Sequence, residues 1–286
     1  MSSAASPAID TTDPTQEPAA PACVMSFNAS DPSGAGGLAG DVSTIAAMGA
    51  HALPVVTSIV MRDTAEIFDH HPLDADTVAE QARSVLEDIT LSGWKVGFLG
   101  SAETVSAVAE VLSDYPDLPL VSYLPPLGWL DEDQLMPYLD AFRELILPAT
   151  EVLVGNHKTL QDFLLPEWDS ERPASPRELA VAAGEHGTRY VLVTGIMLAS
   201  KGSEQFIDNV LASLLAAGSE LQAAVGEALT FLDQSLDAGF RPGMGNVLPD
   251  RFFWAMPPAE EGEAPAGEEE GPLDDTTTKP VSRRVH

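Results

Sequence analysis

The amino-acid sequence predicts an α/β protein built on a mostly parallel sheet with helices on both faces. Short apolar runs rich in Val, Ile and Leu alternate with stretches of helical periodicity between residues 23 and 256. Such alternation is typical of right-handed βαβ units. The chain has 286 residues, of which 44% are hydrophobic, and this is enough for one sizeable domain. A Gly-rich turn at residues 30–37 separates the first apolar run from the first helical stretch.

Each predicted strand is a short apolar run, and each predicted helix carries apolar residues at helical spacing. The first strand begins at residue 24, directly before the Gly-rich turn. The later predicted strands span 52–59, 94–98, 118–123, 151–154 and 190–194. The predicted helices span 40–48, 76–88, 102–113, 130–145, 176–186, 203–217 and 220–238. Ligands bind such sheets at the carboxyl ends of the strands, so the side chains expected along one rim are Asp31, Arg62, Phe98 and Asn156.

The two ends of the chain differ in composition from its middle. Residues 1–22 are rich in Ala, Pro, Ser and Thr and lack the pattern of a signal peptide, which predicts a disordered tail. Residues 257–286 are rich in Pro, Gly and Glu with little to bury, which predicts an acidic disordered tail. A solvated spacer and a segment that recruits a basic partner are both open readings of that acidic tail. Residues 23–256 are therefore the predicted folded domain.

The charge balance excludes several classes of partner. The formal net charge is −30, with only 14 Lys and Arg residues. Proteins that bind nucleic acid or an anionic membrane need basic residues to neutralise phosphates, so neither partner is expected. No apolar run reaches the ~20 residues of a membrane-spanning helix.

Cysteine and histidine usage points to a reducing compartment and away from a zinc site. The single cysteine, Cys23, precedes the first predicted strand and cannot form an internal disulfide, which favours a cytoplasmic location. The histidines considered as ligands are His70, His71, His157 and His186. We expect them in turns or at a helix end, at the surface and without the spacing of zinc ligands.

The Gly-rich turn reads Ser-Asp-Pro-Ser-Gly-Ala-Gly-Gly at residues 30–37. Glycines allow positive φ and a close approach of a ligand, and the N-terminus of the next helix favours an anion. The spacing matches neither the dinucleotide pattern nor the P-loop. Taken alone, the turn can be a ligand site or a structural corner between strand and helix.

Together with Asp41 and residues 48–50, this turn resembles the opening of the hydroxymethylpyrimidine and phosphomethylpyrimidine kinases of thiamine biosynthesis. These kinases are a branch of the ribokinase-like superfamily. The resemblance continues through residues 55–58, 63–64, 94–100, 238–245 and 249–255, and so covers most of 24–255. It implies a ribokinase-like three-layer α/β sandwich. It also implies phosphoryl transfer from ATP, with Mg²⁺, to the hydroxymethyl group of a pyrimidine or to its monophosphate.

The resemblance assigns candidate site residues one by one. For the pyrimidine they are Asp31, Gly34, Gly36, Gly37, Arg62 and Phe98, with Arg62 and Phe98 standing where the family has Gln and Met. For the nucleotide and its phosphates they are Asn156, Thr194, Lys201, Gly202 and Ser203. Glu204 stands at the catalytic position, the last residue of the loop that opens a late helix, where it would accept the proton of the alcohol. The segment 239–245 has two readings, a nucleotide-binding loop or a structural turn.

Several positions depart from the family pattern. Lys201 and Ser203 replace two glycines of the catalytic loop, and with Glu204 they also read as an ordinary helix start. The Asn-x-x-Glu motif keeps Asn156 but ends in Thr159, which removes a carboxylate near the metal and phosphate.

Two further departures concern the walls of the site. A strand that ends in Asp in the family ends near Tyr123 here, and the link 195–201 is short. These changes predict weakened activity and make a non-catalytic pseudokinase or scaffold the alternative. Phosphorylation of another small alcohol is a third reading. A homodimer is compatible with the family, and the sequence leaves the oligomeric state open.

Overall fold

Seven strands form one sheet in the order β3-β2-β1-β4-β5-β6-β7. The computed structural model describes residues 20–194 and 204–255. The strands are β1 Cys23–Ser30, β2 His51–Arg62, β3 Ile67–Pro72, β4 Gly93–Val96, β5 Leu120–Tyr123, β6 Val152–Asn156 and β7 Tyr190–Thr194. Every neighbouring pair is parallel except β2 and β3, which are antiparallel.

Helices cover both faces of this sheet. They are α1 Gly37–Ala47, α2 Ala75–Leu86, α3 Ala102–Ser113, α4 Glu132–Ala141, α5 His157–Leu164, α6 Pro176–Glu185, α7 Glu204–Ala216 and α8 Leu221–Asp237. Helices α2 to α6 contribute to one apolar core, and α1, α7 and α8 contribute to the other. The predicted three-layer sandwich is therefore confirmed.

The two cores follow from alternation along the strands, since successive side chains point to opposite faces. Val24 packs in the core of α1, α7 and α8, whereas Met25 packs in the core on the other face. Val121 and Leu120 divide between the faces in the same way. Central parallel strands buried on both sides therefore read as continuous apolar runs.

Three elements differ from the sequence prediction. The strand β3 was not predicted, and the turn before it is closed by Asp63, whose Oδ1 accepts hydrogen bonds from the N–H groups of Ala65 and Glu66. Such a turn is typical of Asp. Helix α5 was also missed, although Asn156 caps it by accepting a hydrogen bond from the Thr159 N–H. The predicted helix 130–145 is α4 followed by a π-helical turn, Phe142–Ile146.

The placement of three residues, Cys23, His70 and His71, was predicted wrongly. Cys23 is the first residue of β1 rather than preceding it. His70 and His71 lie in β3 rather than in a turn, and His70 is buried, with its Nε2 3.0 Å from the carbonyl oxygen of Gly100. Strand alternation explains the difference, because His70 points inward and His71 outward.

The described residues up to Phe253 form one compact unit, and Trp254 begins another of which only Trp254 and Ala255 are described. The predicted tails 1–22 and 257–286 lie outside the described residues, apart from residues 20–22. Among the described helices, none combines the length and apolar character needed to cross a membrane.

Candidate active site

The Asp31 carboxylate organises the Gly-rich turn after β1. Its Oδ1 accepts hydrogen bonds from the Ser33 N–H at 2.8 Å and the Ser33 hydroxyl at 2.6 Å. Its Oδ2 accepts the Gly36 N–H at 3.0 Å and lies 3.3 Å from Nη1 of Arg62. A carboxylate has about four acceptor positions, and four protein donors surround this one.

Four residues predicted for the pyrimidine site, Asp31, Gly37, Arg62 and Phe98, line a single small cavity, which we call the ring cavity. Asp31, Arg62 and Phe98 meet there at the carboxyl ends of β1, β2 and β4, as the rim expectation required. The cavity is about 40 Å³, against the roughly 300–1,000 Å³ of most small-molecule sites. In the described conformation, the side chains that line the cavity leave too little space for a pyrimidine.

An aromatic cluster forms one wall of this cavity. The ring of Phe98 packs edge-on against Trp129, with 5.2 Å between centroids, and His70 lies 5.3 Å from Phe98. Phe98 therefore lines the cavity and also packs in the apolar core, so it combines the predicted position at the pyrimidine site with that of a core residue. Trp129 was missed, because it belongs to an irregular segment before α4 and carries no motif.

Arg62 separates the small cavity from a wider one. Its Nε donates to the carbonyl oxygen of Asp63 at 2.9 Å, and its side chain is only 13% exposed. The wider cavity is about 430 Å³ and is lined by Pro32, Ser33, Arg62, Asp63, Thr64, Gly243, Met244 and Gly245. Arg62 therefore lines both the small cavity and the wider one.

The C-terminal Gly-rich segment 239–245 packs on the turn between β2 and β3. The Gly245 N–H donates to the Thr64 hydroxyl at 3.1 Å, and the Asn246 N–H donates to the Thr64 carbonyl at 3.2 Å. Farther along, a guanidinium N–H of Arg251 donates to the Gly34 carbonyl at 3.3 Å. The segment therefore lines the wider cavity through Gly243, Met244 and Gly245, and its nucleotide role stays a prediction.

Two of the residues predicted for the nucleotide, Asn156 and Thr194, lie on β6 and β7, at the other end of the rim. Asn156 and Thr194 are neighbours in the register of β6 and β7. The Thr194 hydroxyl is buried and has no hydrogen-bond partner among the described residues. Lys201, Gly202 and Ser203 lie outside the described residues, and Glu204 is the first residue of α7, with its side chain also outside that description.

A buried ionic network joins α1, β4 and α7, and the sequence analysis did not find it. Nζ of Lys95 lies 3.0 Å from Oδ2 of Asp41 and 3.2 Å from Oδ2 of Asp208. Asp41 also accepts hydrogen bonds from Ser26 at 2.6 Å and from Asn209 at 2.9 Å. A lysine inside an apolar strand was the signal in the sequence, since buried charges are almost always paired.

This network reaches the ring cavity through Asn28. The Asn28 amide donates to Asp41 at 2.9 Å, and its oxygen accepts the backbone N–H of Phe98 at 3.1 Å. Burial raises the pKa of Asp208 to about 7, against the opposing effect of Lys95, and the nearby Asp41 raises it further. The two carboxylates raise the pKa of Lys95, outweighing the effect of its burial.

The described residues do not fit a protein-held Mg²⁺ site. No group of three His, Cys, Asp or Glu side chains in residues 20–194 and 204–255 is arranged to hold a metal ion. Asn156, the candidate nearest the phosphates, uses its side-chain oxygen to cap α5. Tyr123 ends β5 where the family resemblance implies a carboxylate. We therefore assign no protein ligand to Mg²⁺.

The three-layer sandwich, with its small cavity at the carboxyl ends of the strands, has the fold of small-molecule kinases of known structure. The fold is similar to that of Bacillus subtilis pyridoxal kinase, with a TM-score of 0.73 and 18% identity over 83% of this chain and all of that one. It is also similar to phosphomethylpyrimidine kinase from Clostridium difficile, with a TM-score of 0.65 and 20% identity over 74% of this chain and 99% of that one.

Residues 31–211 match the family model described as phosphomethylpyrimidine kinase, and the chain belongs to that family. A hydroxymethylpyrimidine/phosphomethylpyrimidine kinase of Streptomyces coelicolor is 30% identical over 84% of this chain and 97% of its own length. The bifunctional thiamine biosynthetic enzyme TH1 of Arabidopsis thaliana is 28% identical over 75% of this chain and 46% of its own length.

Proposed function

We propose that this protein transfers the γ-phosphoryl group of Mg-ATP to 4-amino-5-hydroxymethyl-2-methylpyrimidine or to its monophosphate, in thiamine biosynthesis. The observation that carries the proposal is the cavity shared by Asp31, Arg62 and Phe98 in a chain of the phosphomethylpyrimidine kinase family. Nothing in the described site favours the pseudokinase alternative over catalysis.

In the proposed reaction with the alcohol, the hydroxymethyl oxygen attacks the γ-phosphorus while the bond to the ADP oxygen breaks; with the monophosphate, an oxygen of its phosphate group makes the same attack. Glu204 accepts the proton of the alcohol, and the N–H groups of Gly202 to Glu204 stabilise the charge on the transferring group. Asn156 and the buried Thr194 hydroxyl support this end of the site, because they are register neighbours on β6 and β7. Phosphoryl transfer depends mainly on positioning and electrostatic stabilisation, which this placement favours.

The proposal is tested by turnover of Mg-ATP with each pyrimidine and with Glu204→Gln. The variant keeps the size of the side chain but cannot accept the proton, so we expect turnover to fall by about a hundredfold or more. Glu227→Gln, a change on the exposed part of α8, is the matched control and should leave turnover unchanged.

Calorimetric binding of the same pyrimidines separates the outcomes. Binding without turnover would identify a pseudokinase and contradict the proposed activity. Turnover that survives in Glu204→Gln would leave the kinase but remove Glu204 as its base. If the protein neither binds nor phosphorylates these pyrimidines, the assignment of a pyrimidine substrate is overturned.

A further inference from the structure

We infer that Asn28 is a positioning residue of the ring cavity: it sets the place of Phe98, and through Phe98 the affinity of the protein for its pyrimidine. Asn28 lies in β1, lines the ring cavity and is only 5% exposed. The sequence analysis assigned it no role. The inference rests on the proposed function, because it concerns how the same site holds its ring substrate.

Asn28 stands where the regular pairing of the strands around the cavity ends. The register of β1 with β4 runs as far as Phe27 and Val96. On the other side of β1, the register with β2 shifts between Asn28 and Ser30. Buried backbone N–H groups beyond such a point still need hydrogen-bond partners. A side chain at this position can supply contacts that the regular sheet no longer supplies.

The Asn28 side chain makes contacts of this kind. Its oxygen accepts the backbone N–H of Ala29 at 2.9 Å and the backbone N–H of Phe98 at 3.1 Å. Its nitrogen donates to Oδ2 of Asp41 at 2.9 Å. An amide both accepts and donates, so asparagine can serve two N–H groups and a carboxylate at once. Asn28 therefore ties the backbone of Phe98 to the buried ionic network.

Gly97 leaves the space that the Asn28 amide occupies. A Cβ at position 97 would lie 2.6 Å from Cγ and 2.6 Å from Oδ1 of Asn28. Atoms that are not bonded do not pack so closely, so a larger residue at position 97 would displace the amide. Packing against Gly97 and three hydrogen bonds together hold the Asn28 side chain in one place.

Phe98 is held at both of its backbone polar groups. Its N–H donates to Asn28, and its carbonyl oxygen accepts the Thr57 hydroxyl at 2.7 Å. Its ring packs against Trp129 and Tyr138, with 5.2 Å and 5.4 Å between centroids. Side chains from β1 and β2 thus fix the backbone from which this wall of the ring cavity projects. Loss of the Asn28 contact frees one side of that wall.

Calorimetric binding to Asn28→Ala tests the inference. The variant removes the three amide contacts and leaves the Phe98 N–H without its partner from β1. The dissociation constant for 4-amino-5-hydroxymethyl-2-methylpyrimidine should rise about tenfold or more. The dissociation constant for Mg-ATP should stay within about twofold, because Asn156 and Thr194 lie at the other end of the rim. A general loss of stability would not separate the two ligands in this way.

Hydrogen exchange at the Phe98 backbone N–H gives a readout that needs no ligand. Its exchange should become about tenfold or more faster in Asn28→Ala, because the N–H has lost its acceptor. Exchange at the same rate as in the unaltered protein would mean that Asn28 does not hold Phe98.

Thr188→Val is the matched control. The buried Thr188 hydroxyl donates to the carbonyl oxygen of Leu147 at 3.0 Å, just before β7 and so at the amino end of the sheet. The variant also loses a buried hydrogen bond, but far from the ring cavity. It should bind the pyrimidine and exchange the Phe98 N–H as the unaltered protein does.

Thermal unfolding shows whether each variant is folded. If Asn28→Ala does not fold, Asn28→Ser takes its place, since the shorter hydroxyl cannot span Phe98 and Asp41 and should cause the same loss of pyrimidine binding. Unchanged pyrimidine affinity in the folded variant, or equal losses for the pyrimidine and for Mg-ATP, would overturn the inference.

These outcomes are distinct from failure of the proposed function. A selective loss of pyrimidine binding in Asn28→Ala supports the inference even if no pyrimidine is phosphorylated, in which case only the kinase proposal fails. Turnover of the pyrimidine with unchanged affinity in Asn28→Ala would support the kinase and contradict the role of Asn28. Absence of pyrimidine binding in the unaltered protein would contradict both.

Discussion

Among single residues, Gly37 shows most directly why the Gly-rich turn has its composition. Gly37 adopts a φ of 58°, in the left-handed region. A Cβ at this position would lie 2.5 Å from the carbonyl oxygen of Ala29 and 2.8 Å from the Cβ of Asp31. Gly34 also has a positive φ, 68°, but a Cβ there would meet nothing within 4 Å. An alanine at Gly34 would therefore suffer backbone strain alone, whereas an alanine at Gly37 would suffer the same strain and a steric clash.

Gly37→Ala and Gly34→Ala form a matched pair of variants. Gly34→Ala should lower the free energy of unfolding by about 1–2 kcal/mol, the cost of placing alanine in the left-handed region. Gly37→Ala carries the same cost and also forces β1 and the turn apart, so its loss should be clearly larger. Urea unfolding measures both values, and equal losses would show that the backbone near Ala29 moves aside freely.

Among the elements, α7 is tied to α1 and β4 by charge as well as by apolar packing. Asp208 on α7 and Asp41 on α1 share Lys95 of β4, and all three side chains are almost fully buried. Desolvating three charges costs several kcal/mol per ion, and their mutual attraction offsets that cost only while the set is complete. The network thereby fixes the first turns of α7, where Glu204 lies, relative to the turn that precedes α1.

Lys95→Met tests whether the buried carboxylates of Asp41 and Asp208 need their shared cation for stability. The variant leaves two buried carboxylates without their cation, so the free energy of unfolding should fall by about 3–5 kcal/mol. Lys158→Met is the control, because Lys158 forms an exposed pair with Asp162 on α5 and should change stability by less than about 1 kcal/mol. A loss in Lys95→Met no larger than that of the control would mean that the carboxylates are neutral in the folded protein.

Most elements could be predicted because their signals are local. The strand 190–194 and the helix 102–113 were predicted with the bounds that the structure gives. Helix α5 was also locally encoded, by its Asn156 cap and by Leu160, Phe163 and Leu164 on one face, but Asn156 was interpreted only as part of a binding motif and the apolar spacing was overlooked.

The site could be predicted only in part. Asp31, Arg62 and Phe98 were expected on one rim because parallel strands bring their carboxyl ends together. The donors that surround the Asp31 carboxylate could not be predicted, since three come from the conformation of the turn and the fourth, Arg62, comes from another strand. The network of Asp41, Lys95 and Asp208 joins three elements distant in sequence. Lys95 inside an apolar strand indicates a buried charge that needs partners, but no local pattern identifies Asp41 and Asp208 as those partners.

For the whole molecule, charge is the dominant feature. The formal net charge of −30 makes self-repulsion a destabilising contribution at neutral pH. Within the fold, Asp208 adds a contribution of the same sign, because its folded-state pKa of about 7 lies above the ordinary value of 3.8. Both effects favour the folded state as the pH falls from neutral towards mildly acidic values.

Asp208→Asn isolates the contribution of that one carboxyl group. Below pH 3.8 the group is protonated in both states and contributes nothing to the pH dependence. Between pH 3.8 and about 7 the folded protein retains a proton that the unfolded chain has lost, so stability falls as the pH rises. We expect the fall to amount to a few kcal/mol across this window.

Unfolding by urea at pH values from 5 to 8 measures this difference. The stability of the unaltered protein minus that of Asp208→Asn should decrease from pH 5 to pH 7 and become flat above pH 8, while the titrating groups outside the network cancel. Asp233→Asn, an exposed change on α8, should give a curve parallel to that of the unaltered protein. A curve for Asp208→Asn that is also parallel would mean that Lys95 keeps the carboxyl ionised, so that attraction within the network outweighs the cost of burial.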